Sequence, residues 1–214
     1  MSEIECEVLH RNVYYFPGVI GEIDKVMSTL DEVSSLSVTP WEIWYANNDS
    51  KENPYGDLKT LNRSLLDQET DLEVKQKSLF ILDSILGAME RSCREFMVGH
   101  GASTEELEHL KNDLIYGTHT YGIRRYNENM DMGPHQDMVS DERDTYTVAV
   151  YLDDDYEGGE LGVSTGTDEL KIKNKAGSIV VFPSAYFHQS FPLKNGRKTI
   201  ITHVHMPISM RIDL

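Results

Sequence analysis

Cysteine is nearly absent: Cys6 and Cys93 are the only two in 214 residues, too few and too far apart for a disulfide framework. A reducing compartment, and with it a cytoplasmic location, is the expectation. No apolar run is long enough to cross a bilayer. The opening Met1-Ser2-Glu3-Ile4-Glu5-Cys6-Glu7 is acidic where an export leader would be basic and then apolar. Basic residues are scarce too, with 20 Lys and Arg against 36 Asp and Glu, for a formal net charge of −16. Such a surface repels phosphate backbones and disfavours nucleic acid as a partner. Attraction to a basic peptide or protein and simple solubility are the two readings that the charge leaves open. There is no internal repeat, no low-complexity tract and no linker that would divide the chain, so a single domain over residues 1–214 is expected.

What is present is a globular composition, 39% hydrophobic with eleven Tyr, six Phe and two Trp. The first part, 1–115, mixes strands and helices. Val13-Tyr14-Tyr15-Phe16 suits a short buried strand that Pro17-Gly18 breaks, and Trp41 to Tyr45 alternates like another. Ile20, Ile23, Met27, Leu30 and Val33 recur at helical spacing. Asn47 to Gly56 is polar and turn-rich and reads as a loop. Leu79, Leu82, Leu86, Met89, Cys93 and Phe96 mark one long helix that ends near Gly99 to Gly101, their stripe serving packing. Ser103-Thr104-Glu105-Glu106 is a capping-box pattern that starts a short helix.

From about Tyr116 the pattern changes to short strands and turns. Strands are expected over 118–126, 145–152, 170–173, 178–182 and 198–204, with turns at Gly158-Gly159 and at Asn195-Gly196. The fold class this implies is α+β, mainly β. A jelly-roll core over 116–214 is braced by the elements of 1–115.

Within that core stand His135, Asp137 and His188, with Lys198 ten residues after the last of them. Two imidazoles and one carboxylate suit a divalent transition metal and leave coordination positions open for chemistry; iron, manganese and zinc are all accepted by such a set. If 135–137 is strand, His135 and Asp137 share a face and can reach one ion together. Lys198 adds a fixed positive charge, while Arg197, one residue off, should face away.

These residues resemble the 2-oxoglutarate- and iron(II)-dependent oxygenases, in particular the prolyl 4-hydroxylase-like branch. The likeness covers roughly 116–205 and includes Tyr151-Leu152, Glu157 to Leu161, Ala176 to Ser184 and Pro192 to Lys198. It implies a double-stranded β-helix in which His135, Asp137 and His188 bind iron(II). Lys198 would hold the far carboxylate of 2-oxoglutarate, with Tyr126 and Thr147 as further cosubstrate contacts. Dioxygen completes the set, and ascorbate is a candidate reductant. The implied activity is hydroxylation of a proline in a peptide or protein, with release of succinate and carbon dioxide. Arg124 and the 47–56 loop are candidate substrate contacts. Asp137 argues against the related halogenases, and the absence of an arginine six residues after Lys198 argues against nucleic-acid demethylases. The chain departs from many relatives at Asn129 (glycine), Met132 (tyrosine) and Val204 (tryptophan), which weakens the inference of a prolyl substrate.

Other readings compete. A free amino acid or small molecule could be the substrate, or the jelly roll could be an idle metal-binding interaction module. His203 and His205 form a rival pair, expected on the outer face if Lys198, Ile200 and Thr202 point inward. His10, His100, His109 and His119 read as surface or core histidines. Gly158 and Gly159 read as turn formers, Glu160 as structural, and Asp153 to Asp155 lack the rest of a calcium loop.

Overall fold

A computed structural model describes residues 4–33, 41–44, 56–112, 114, 121–137 and 145–205, with backbone only for 203–205. Of the loop expected over 47–56, residues 47–55 lie outside the described residues, as does His119, and Gly56 opens a strand.

Two short strands open the chain, β1 (Glu7–His10) and β2 (Val13–Phe16), followed by α1 (Ile23–Glu32), β3 (Glu42–Trp44), β4 (Gly56–Leu61) and α2 (Arg63–Leu66). The long helix α3 spans Leu72–Gly99 and α4 spans Thr104–Lys111. The rest is β: β5 (Tyr121–Tyr126), β6 (Met132–His135), β7 (Tyr146–Tyr151), β8 (Tyr156–Gly158), β9 (Leu161–Ser164) and β10 (Glu169–Ile172). Last come β11 (Ser178–Pro183), β12 (His188–Ser190), β13 (Leu193–Gly196) and β14 (Lys198–His205).

An eight-stranded sheet in the order β1-β2-β11-β7-β14-β5-β4-β3 faces a four-stranded sheet ordered β10-β9-β12-β6, and β13 pairs with β8. All pairings are antiparallel. This is the expected mainly-β class, a jelly roll with helices on one face.

The large sheet is buried on both sides, and strand parity decides which side each residue serves. On β7, Tyr146, Val148 and Val150 join the helix-packed core with Leu82, Met89 and Phe96 of α3. Ala149 and Tyr151, in between, join a second cluster with Tyr126, Val180, Phe182 and Ile200, between the two sheets. α3 starts where the Asp71 side chain accepts from the amides of Glu73 and Val74. α4 carries the expected capping box, Ser103 with Glu106.

Two local expectations differ from what is found. The helix expected from Ile20 begins at Ile23, because Glu22 takes a left-handed φ of 52° and Ile20 instead gives its amide to Gly177 O at 3.0 Å. Asn195-Gly196 is not a turn feeding β14 but the end of β13, paired with Tyr156 and Glu157. Glycine is needed at 196 because φ is +84° and a Cβ would sit 2.5 Å from Asp155 O. The turn chemistry was real; its setting was a strand pair.

Candidate metal and cosubstrate site

The smaller sheet brings the metal-binding residues together. β12 pairs with β6 so that His188 lies directly across from His135. β6 ends at His135, so strand alternation does not carry Asp137 to the same face as expected. Asp137 lies two residues beyond the strand, where its amide donates to Ser184 O at 3.2 Å. The outcome is nevertheless the expected cluster: one ligand atom from each of His135, Asp137 and His188 lies within 4.8 Å of the others. Among the described residues it is the one such group of three.

The imidazoles are oriented for coordination. His135 Nδ1 lies 2.8 Å from Gly133 O and His188 Nδ1 lies 3.2 Å from Tyr186 O. A carbonyl only accepts, so each Nδ1 carries a proton and each Nε2 is the ring atom left to coordinate an ion. Both Nε2 atoms face the carboxylate, His135 at 3.6 Å from Asp137 Oδ1 and His188 at 3.2 Å from Oδ2. Burial by itself would raise the Asp137 carboxyl. The hydrogen bond and charge of His188, the Thr147 hydroxyl and His135 outweigh it and hold the group below its ordinary value. A carboxylate that stays ionised, faced by the Nε2 atoms of two imidazoles, fits a divalent metal that keeps open positions.

The triad opens into a cavity of about 260 Å³ between the two sheets. His135 is a third exposed, at 33% of its side chain, whereas His188 is 6% and Lys198 only 1% exposed, so the cavity runs inward from the metal to the lysine. Lys198 opens β14, where it is paired with Tyr126. Its ammonium donates to Gly159 O at 3.0 Å and to Ser190 Oγ, and lies 4.5 Å from the centre of the Tyr126 ring. Burial pushes its pKa down to about 8, against the opposing pull of Asp153 and Glu160.

Most of the residues singled out in the sequence can now be placed. Arg124, Tyr126 and Thr147 all line the same cavity as the triad and Lys198. Thr147 donates to Asp137 Oδ2 at 3.0 Å. Arg197 is exposed and Thr202 lines the cavity, as strand parity required. The side chains of His203 and His205 lie outside the described residues. His100 is occupied structurally, bridging Phe96 O at 2.8 Å and Asn12 Oδ1 at 3.1 Å, and His109 is exposed. Asp153 accepts the Thr199 amide at 2.8 Å, which latches its loop to β14. Asn129, where many relatives carry glycine, has a φ of 64°, a conformation that asparagine tolerates better than most residues.

Three residues of the site were given no role in the sequence. Ser190 meets the lysine, Ser184 meets Thr147, and Tyr151 lines the cavity as a phenol whose pKa burial raises well above normal. Parity along 145–152 puts Thr147 and Tyr151 on one face, so Tyr151 could have been found. The two serines depend on contacts across strands.

Comparison with known proteins agrees with this geometry. Residues 121–205 match the family model described as the 2OG-Fe(II) oxygenase superfamily. A PKHD-type hydroxylase of Prochlorococcus marinus (strain MIT 9515) is 38% identical over 77 residues, 34% of this chain and 35% of that protein. Another, from Crocosphaera subtropica, is 26% identical over 140 residues, 64% of this chain and 59% of its own length. The match thus spans about a third of the first of these curated relatives. Among solved structures, a prolyl hydroxylase of Trichoplax adhaerens, in complex with a hypoxia inducible factor oxygen degradation domain peptide fragment, superposes with a TM-score of 0.57. It is 14% identical, and the match covers 91% of this chain and 83% of that one. A Pseudomonas putida prolyl-4-hydroxylase gives a TM-score of 0.54 at 14% identity, over 94% and 96% of the two chains. At that identity the likeness is one of fold.

Proposed function

We propose, because the chain belongs to the 2OG-Fe(II) oxygenase superfamily and is of its prolyl 4-hydroxylase-like kind, that it hydroxylates a proline in a peptide or protein. One observation carries the reading: the His135, Asp137 and His188 cluster and the buried Lys198 ammonium share one cavity. Iron(II) held there would, with dioxygen and 2-oxoglutarate, supply the oxidising power to place one oxygen atom in a C–H bond, the other leaving in succinate with carbon dioxide.

The chain's own residues do the positioning. His135 and His188 offer Nε2, fixed by their Nδ1 contacts, and Asp137 offers charge. Lys198 receives the far carboxylate of the cosubstrate in a dry pocket, where a charge-assisted hydrogen bond is worth ~1.5–3 kcal/mol. Tyr126 walls that pocket. The partly exposed His135 side is where a substrate enters. Residues 1–115 serve as support for a single oxygenase domain over 1–214. Among the described residues no helix is long and apolar enough to cross a membrane.

A second reading, a free amino acid or other small acid as substrate, has one observation in its favour: Arg124 lines the same cavity. Incubation of iron-loaded protein with 2-oxoglutarate and proline-containing peptides, followed by mass spectrometry, tests the proposal. A peptide that gains one oxygen at proline, with matching succinate, is expected. Succinate coupled only to free amino acids would replace it with the second reading. Succinate formation equal to that of His135→Ala would reject an enzyme altogether.

A further inference from the structure

We propose that Thr147 and Ser184 form a buried hydroxyl relay that positions Asp137 for the metal, so that Thr147 serves the carboxylate ligand and not the cosubstrate. Neither residue has any exposed surface. Thr147 Oγ1 lies 3.0 Å from Asp137 Oδ2 and 3.0 Å from Ser184 Oγ. An ionised carboxylate can only accept, and a hydroxyl has one proton to give. Thr147 therefore donates to Asp137, and Ser184 donates to Thr147, a one-way chain in which each bond polarises the next.

The need for the relay follows from where Asp137 sits. His135 and His188 stand on paired strands, and their rings are held by carbonyls two residues away. Asp137 lies past the end of β6, with no ladder to fix it. Ser184 supplies both restraints: its carbonyl takes the Asp137 amide at 3.2 Å, and its hydroxyl supports the threonine that takes the carboxylate. Ser184 is itself tied to the start of β7, its amide donating to Thr145 O at 3.0 Å. With Oδ2 engaged by Thr147, the carboxylate has one defined orientation before any ion arrives. Partners that orient metal ligands in this way are typically worth ~10–100-fold in metal affinity.

The inference rests on the triad being a metal site, and the test separates the two. Mn(II) binding to the full chain, without cosubstrate or substrate, is read from the electron paramagnetic resonance signal of unbound Mn(II). Thr147→Val keeps the shape and deletes the donor, so the Mn(II) dissociation constant should rise ~10–100-fold. Thr147→Ser should recover affinity to within a few-fold of wild type, and Ser184→Ala should weaken binding by a smaller factor. The 2-oxoglutarate requirement of Thr147→Val, measured at saturating metal, should match wild type. Unchanged Mn(II) affinity in Thr147→Val overturns the proposal, above all if its cosubstrate requirement rises instead. Should Thr147→Val fail to fold, wild-type affinity in Ser184→Ala overturns it equally. If His135→Ala binds Mn(II) as wild type does, the triad reading fails and the relay falls with it.

Discussion

Lys59 and Lys198 are buried on opposite faces of the same eight-stranded sheet. Lys59 is paired with Ile123, on the face that packs against the helices. Lys198 is paired with Tyr126, on the face that meets the smaller sheet. Both are almost without exposed surface, and burial lowers the pKa of each to about 8, with Arg125 contributing at Lys59. Their surroundings differ. Lys59 gives its ammonium to Val33 O at 3.3 Å, an anchor within packed structure. Lys198 is held by Gly159 O and Ser190 Oγ at the inner end of a cavity that also contains a cluster of two imidazoles and a carboxylate. A buried charge is costly wherever it sits. The two lysines differ in the space and the side chains in front of them, and burial alone does not tell them apart.

The widest separation of the two faces should come from substitutions that touch only one of them. His188→Ala removes a metal ligand from a well-packed strand, and succinate formation is expected to fall to background while the thermal transition persists. Leu82→Ala, in the helix-packed core, is expected to cost ~2–5 kcal/mol of stability yet leave Mn(II) affinity near wild type at temperatures where the protein stays folded. Chemical denaturation and metal titration of both variants check this double dissociation. A His188→Ala protein that still makes succinate would remove the functional meaning of the cavity face.

The next largest effect divides the lysines themselves. Lys198→Ala should raise the apparent 2-oxoglutarate requirement ~10–100-fold, the equivalent of a lost charge-assisted bond, and change the iron requirement far less. Lys59→Met fills similar volume without a charge and should leave both requirements unchanged. Steady-state titration of cosubstrate and metal in the two variants reads this out. Equal shifts in the iron and cosubstrate requirements of Lys198→Ala would mean that the lysine supports the site only through packing.

How much of this was legible in the sequence follows from the same two faces. Alternation along 145–152 and 198–204 carries the division between helix-packed and cavity-facing residues, so the sequence alone aims Lys198, Ile200 and Thr202 at the cavity. His135, Asp137 and His188 were legible as a ligand set through the resemblance, which rests on their order and on the basic residue ten positions after the last of them. The route by which Asp137 arrives was not: alternation was expected to bring it in, yet the strand stops at His135, and Ser184, 47 residues beyond Asp137, does the holding. Ser190 and Ser184 stayed hidden for the same reason, since a serine carries no signal until register puts it against a lysine or a threonine. Asn195-Gly196 misled because a left-handed glycine serves a strand pair as well as it serves a hairpin turn.

The smallest effect is a pH dependence that runs in opposite directions for binding and for folding. An ammonium lowered to about 8 begins to lose its proton above that pH, so cosubstrate affinity through Lys198 should decline as pH rises past 8. Bound 2-oxoglutarate favours the charged form, which shifts the decline upward in the complex. Stability without cosubstrate should move the other way. The folded-state pKa lies below the ordinary lysine value of 10.5, so between about pH 8 and 10.5 the unfolded chain binds more protons than the folded one. Unfolding then takes up protons, and stability rises with pH by up to ~1.4 kcal/mol per pH unit for each proton taken up; below about pH 8 this contribution is gone. Both lysines contribute to that slope, but only one contributes to binding. Lys59→Met should therefore reduce the pH slope of denaturation and leave the pH profile of cosubstrate affinity intact, whereas Lys198→Met should reduce the slope and also flatten the affinity profile. Denaturation midpoints and cosubstrate titrations from pH 7 to 10 distinguish the two, and a Lys59→Met protein with an altered affinity profile would show that the two faces of the sheet are coupled.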